Sequence, residues 1–190
     1  MGENYLTNPA SFLIEVIIGL YAFIVMLRFM LQWVRADFYN PVSQFIVKAT
    51  AHALNPLRRI IPGIGGIDVA SLILAWAILT LKLILLFSLQ GGASITAAML
   101  LAIPEMLEMI FNIFIYSILA LVILSWVNPN GYNPAIGLIH SITSPIMSPL
   151  RRLIPSAGGM DFTPMIAMVA LYLAQMLILP PIKHLIISLL

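Results

Sequence analysis

The residues able to do chemistry in this chain come in two sets with the same internal spacing. Arg58-Arg59 and Asp68 form one set, and Arg151-Arg152 and Asp161 form the other, with Gly65-Gly66 and Gly158-Gly159 at matching places between them. Guanidinium forks bind carboxylate and phosphate bidentately. The arginines therefore predict, in falling order, anchorage to anionic headgroups with Lys48, docking of an acidic or phosphorylated partner, and a selectivity ring. The paired glycines permit a tight turn with positive φ. Each aspartate then stands directly before an apolar run, where a carboxylate caps a helix and meets the positive end of its dipole. Such an aspartate can also pair with the Arg-Arg of its own or the other unit.

A third group lies inside apolar runs. Lys82 has Glu15 and Glu108 at similar depth, and an isolated charge there costs about 2.5 to 3.5 kcal/mol, so pairing is expected. Such a cluster reads either as a staple between helices or as a polar site in an ion path. The second reading is weakened because Gln175 stands where the repeat would place a second lysine. Arg28, near the end of its run, is expected to snorkel to the headgroups.

Signals for an enzyme, a cofactor or a metal are absent from the sequence. His52 and His140 occupy unmatched positions without helical ligand spacing, Ser144 and Ser148 have no evident base, and there is no cysteine. With 62% hydrophobic and 8% charged residues and a mean hydropathy of +1.06, the chain reads as a membrane protein. The basic residues sit between apolar runs without interleaved aromatics, which argues against direct nucleic-acid binding. No Lys or Arg precedes Arg28, so the first apolar run reads as a retained span.

The elements that must position these residues follow from one shift. Moving the sequence by 93 positions lays 31–73 over 124–166 with 18 of 43 positions identical, among them Asn40-Pro41 with Asn133-Pro134, Tyr39 with Tyr132, and Pro62 with Pro155. Four runs approach the roughly 20 residues needed to cross a bilayer: 12–34, 69–89, 106–127 and 162–179, the last expected to stop at Pro180-Pro181. Between the spans of each unit lies an apolar but non-spanning segment that starts at Asn-Pro, a cap residue followed by proline in the first turn. In the first, Val42, Phe45, Ile46, Ala49 and Ala53 are expected on one face of an interfacial helix. The second, uncharged from 135 to 147, could also dip into the bilayer.

The expected organisation is thus a first repeat at 1–89, a linker at 90–104 and a second repeat at 105–190. The fold expected is an all-α membrane protein of four transmembrane helices. Its two parallel tandem repeats, each helix, amphipathic helix, helix, would be related by a pseudo-twofold along the membrane normal. The basic bias of 35–68 and 128–161 places both repeat loops in the cytoplasm and both termini outside.

The stretch from Asn-Pro to Pro-Leu-Arg-Arg-Ile-Ile-Pro-Gly-Ile-Gly-Gly-Ile-Asp, repeated with Leu153 for Ile60 and Ser156-Ala157 for Gly63-Ile64, resembles the YggT family of integral membrane proteins. The resemblance spans essentially the whole chain, and chloroplast and cyanobacterial relatives have a similar unit. It implies a non-enzymatic bacterial inner-membrane protein linked to osmotic-stress tolerance and potassium balance, or to cell division, nucleoid distribution or cytochrome assembly. It supplies no catalytic or ligand residues. The partners expected are membrane lipids and other membrane or cytoplasmic proteins, with a homo-oligomer as a further expectation. A small potassium-related channel or transport subunit would require such an oligomer, since four helices hardly enclose a pore.

Overall fold

Apolar runs long enough to cross a bilayer satisfy their backbone internally as helices, and the chain is built from six of them. The computed structural model describes residues 3–92, 94–127, 133–153 and 161–190. The helices are α1 (Glu3–Trp33), α2 (Pro41–Ile60), α3 (Val69–Leu89), α4 (Ile95–Val127), α5 (Pro134–Leu153) and α6 (Thr163–Leu189). Four of them, α1 from Asn8, α3, α4 and α6, are long and apolar enough to span a membrane. The remaining two, α2 and α5, start at the prolines of the two Asn-Pro motifs.

Three boundaries differ from those expected. The helix expected from 106 begins at Ile95 and absorbs Pro104, so most of the expected linker at 90–104 is helix. A proline forfeits one ladder bond, and a helix of 33 residues has many others to hold it. For the same reason α6 runs through Pro180 and Pro181 to Leu189. At the start, α1 already includes Glu3. Gly158, Gly159, Tyr132 and Pro155 lie outside the described residues.

Of the apolar face expected for α2, Ile46 is turned to the bundle and Val42, Phe45 and Ala49 are exposed. Its buried residues are Ser43, Ile46, Thr50 and Leu54, while Phe45 is 64% exposed. Hydroxyls can face the bundle because Thr50 Oγ1 donates to Ile46 O at 2.7 Å and Ser43 Oγ to Asp37 O at 2.8 Å. The apolar side of Val42 and Phe45 is left outward, which suits a helix lying against acyl chains.

Within each half the helices pack alike: α1 with α2 and α3, α2 with α3, then α4 with α5 and α6, α5 with α6. Between the halves the packing is one-sided. Helix α4 lies against both α3 and α1, whereas among the described residues α6 does not pack on α1. A strict twofold would demand α6 against α1 in return for α3 against α4, so the expected pseudo-twofold does not describe the contacts between the halves. The short connection after Leu89 makes α3 and α4 antiparallel neighbours. Ala22, Ala98 and Ala102 are fully buried beside Leu79 and Leu83, and small side chains of this kind let membrane helices approach closely.

A second one-sided contact joins the two Asn-Pro motifs. Asn40 caps α2, accepting from Val42 N at 2.9 Å, and its Nδ2 donates to Pro134 O at 2.6 Å. Asn133 caps α5 through Ala135 N at 2.9 Å and is exposed. Asn40→Ala is therefore expected to cost about 2 kcal/mol, a cap plus a hydrogen bond between the halves, and Asn133→Ala about 1 kcal/mol. Reversible unfolding in mixed micelles checks the difference.

Candidate functional site

The polar motif is built by a turn, a helix end and a helix start. After α2, Ile64 and Ile67 exchange N–H···O bonds of 3.1 and 2.9 Å. Gly65 and Gly66 between them have φ of 61° and 84°. Positive φ at both central residues is the type I′ pattern that glycine serves best. The turn brings the chain back so that Asp68 meets the last turn of α2. Arg58 pairs there with the Asp68 carboxylate and also donates to Gln32 Oε1 at 2.9 Å.

Asp68 is 4% exposed and does two jobs at once. It caps α3, accepting from Ser71 N at 3.4 Å and from the Ser71 hydroxyl, while it holds Arg58. Burial pushes its carboxyl up, but the hydrogen bonds from Arg58 and Ser71 outweigh this and leave it below the usual carboxylate range. In the second half, Arg151 Nε reaches Asp161 at 3.1 Å with both side chains about half exposed. Hydrogen bonds from Thr163, chiefly, hold Asp161 below the usual range, and Thr163 N donates to it at 2.9 Å.

Each Arg-Arg dipeptide is thus divided. Arg58 and Arg151 are held by the aspartate of their own half. Arg59, Arg152 and Lys48 are exposed and make no ion pair among the described residues. The first arginine closes the motif and the second faces outward.

The charges within the spans find partners other than those expected. Lys82 pairs with Glu105 at 2.8 Å, a charge contact without hydrogen-bond geometry at that carboxylate oxygen. Glu108 pairs with Lys183 of α6 at 3.0 Å. Glu15 is exposed and joins neither pair. Central α4 is therefore tied by Glu105 to α3 and by Glu108 to α6. Glu15, Lys82, Glu105, Glu108 and Asn112 still line one open cleft of about 550 Å³, so the expected cluster is a place, though its pairing differs. Glu105 was the residue missed. Its signal lies in the antiparallel turn of α3 into α4, which sets positions on either side of it level.

Arg28 departs from the snorkelling expectation. It is 7% exposed, and its Nη1 donates to Val47 O and to Thr50 Oγ1, both at 2.8 Å. Helix α2 crosses the end of α1 and roofs the guanidinium. The two histidines, His52 and His140, are exposed, and among the described residues no group of three His, Asp or Glu could hold a metal.

Four apolar helices of spanning length, with an amphipathic helix inserted in each pair, define a multi-pass helical membrane protein. The family model described as CCB3/YggT matches this chain twice, at residues 7–89 and 100–182. The starts of the two matches lie 93 residues apart, the shift that superposes the sequence on itself. The chain belongs to the CCB3/YggT family. It is 46% identical over 177 residues to an uncharacterized protein of Pseudomonas aeruginosa, covering 92% of this chain and 90% of that one. It is 39% identical over 171 residues to the uncharacterized protein YggT of Escherichia coli K12, covering 89% and 88%. An uncharacterized protein of Haemophilus influenzae is 37% identical over 161 residues, covering 85% and 86%. No solved structure matches the chain.

Proposed function

We propose that this protein is a non-enzymatic accessory or scaffold of the bacterial inner membrane that supports adaptation to osmotic stress. It acts by binding partner proteins and anionic lipid through the exposed arginines of its two repeated motifs. The observation that carries this reading is the division of each Arg-Arg pair. One arginine of each pair is held by the aspartate of its own half, and Arg59 and Arg152, like Lys48, are exposed on amphipathic helices. Basic side chains at that level contribute about 1 kcal/mol each to anionic-surface contact, and arginine forks suit carboxylate or phosphate on a partner. The basic bias of these segments supports a cytoplasmic motif face. An assembly role in cell division or in a membrane complex would use the same face.

Growth in high-osmolarity medium tests the proposal, using a strain that lacks the protein and is complemented in trans. The combined Arg59→Gln and Arg152→Gln variant, accumulating at wild-type level, should fail to restore growth. Full restoration by that variant would overturn the reading. A second reading, a subunit of an ion path, is favoured by one observation: Glu15, Lys82, Glu105, Glu108 and Asn112 share a cleft between spans.

A further inference from the structure

The cavity beneath α2 has a charge that the protein leaves unbalanced. It holds about 250 Å³ and is lined by Arg28, Gln32, Arg35, Ser43 and Arg58 among apolar neighbours. Arginine stays protonated even when buried, and buried charges are ordinarily paired. Arg28, nine-tenths buried, instead meets only the neutral oxygens of Val47 and Thr50. No carboxylate lies within ion-pair distance of it among the described residues. Its Nε and Nη2 make no hydrogen bond to the described protein, and the guanidinium lines the cavity. Among the described residues, the one carboxylate engaged by any of these three arginines is Asp68, through Arg58. The nearby Asp37 turns back on its own loop, accepting from Tyr39 N at 2.9 Å.

Arg35 adds a second, independent observation. It has φ of 53° and follows the end of α1, where Ala36 N reaches Leu31 O at 2.9 Å and Arg35 N reaches Gln32 O at 3.1 Å. These are the two bonds of a Schellman ending, whose left-handed position glycine normally fills. A side chain there costs about 1 to 2 kcal/mol, and a backbone outlier of this kind points toward function. Repeat structure does not demand it: Leu121 and Asn128 stand at the positions matching Arg28 and Arg35. The three-arginine cavity therefore belongs to the first half alone.

We infer that this cavity is a binding site for a phosphate group, held by Arg28, Arg35 and Arg58 with Gln32 and Ser43 at its edge. The group is either the headgroup phosphate of a lipid or a small soluble phosphate compound. Three arginines that line one cavity from a helix, a turn and a neighbouring helix can supply charge-assisted donors from several sides, the arrangement that a tetrahedral oxyanion accepts. The site does not depend on the role proposed for Arg59 and Arg152.

The test uses the full chain in dodecyl maltoside micelles, which contain no phosphate. Binding of phosphatidylglycerol is followed by native mass spectrometry, and binding of glycerol 1-phosphate and inorganic phosphate by thermal shift. Wild type should bind one phosphate-bearing ligand, and Arg35→Gln, an exposed position, should weaken it at least tenfold. Arg28→Met should do the same if it folds. The control, His140→Gln at an exposed position of α5, should leave this binding unchanged. Retention of phosphatidylglycerol alone assigns the site to lipid, and binding of the soluble compounds assigns it to a free phosphate. The inference is overturned if neither source binds, or if Arg35→Gln binds as tightly as wild type.

Discussion

Asp68→Ala is expected to destabilise the protein by about 3 kcal/mol, and Asp161→Ala by only about 1 kcal/mol, although the two residues occupy the same place in the repeat. Both substitutions remove the oxygen that meets the free amides at the start of a helix, which accounts for about 1 kcal/mol. The difference comes from burial. Asp68 is 4% exposed and Arg58 33% exposed, so removing the carboxylate strands a guanidinium in a site that is two-thirds closed to water. The corresponding Arg151 and Asp161 are 49% and 45% exposed, and water takes over when either is lost. Reversible unfolding of the two variants in the same micelles checks the ratio, and equal losses would show that burial is not what separates them.

The same pair sets a pH dependence whose sign follows from linkage. Asp68 is held below its ordinary value in the folded state, so its contribution is present in full above the unfolded carboxylate value. It is lost as pH falls through the folded one. The stability advantage of wild type over Asp68→Asn should therefore be constant from neutrality to about pH 5 and shrink below about pH 4. Unfolding followed along an acid series reads this directly.

The second large effect concerns the charges between the spans. Lys82→Met is expected to cost about 2 kcal/mol because it leaves Glu105 without its cation in apolar surroundings. The double variant, Lys82→Met with Glu105→Met, should recover to within about 1 kcal/mol of wild type, since two well-packed thioethers need no partner. That gap is the coupling energy of the pair, which a double-mutant cycle isolates. A staple between α3 and α4 can be replaced in this way. An ion path cannot, and a double variant that folds yet loses all activity would assign the cleft to transport.

Much of this was legible before any coordinates. The shift of 93 residues located both motifs, and the Asn-Pro and Gly-Gly-Asp chemistry placed caps and turns because each acts within a few residues of itself. Asp68 capping α3 and the positive φ of Gly65 and Gly66 are local facts of this kind. What the residues could not show depends on which helices meet. Arg28 looked free to snorkel until α2 was laid across it, and Glu105 was passed over because its partner sits on the far side of a turn. Which side of α2 meets the bundle is not legible in its sequence, because Thr50 and Ser43 satisfy their hydroxyls on nearby carbonyls, which lets polar residues face the bundle and Phe45 face outward. Pro180-Pro181 read as a stop by propensity, yet α6 continues and Lys183 beyond them reaches Glu108.

The central claim is that the working surface is the arginine-bearing end of the protein and that the charges between the spans hold helices together. Potassium and sodium flux through the purified chain in sealed liposomes tests it most directly, with the Lys82→Met, Glu105→Met variant alongside. The account predicts no selective flux from either protein. Selective flux through wild type that disappears in the folded variant would contradict it and make the cleft an ion path.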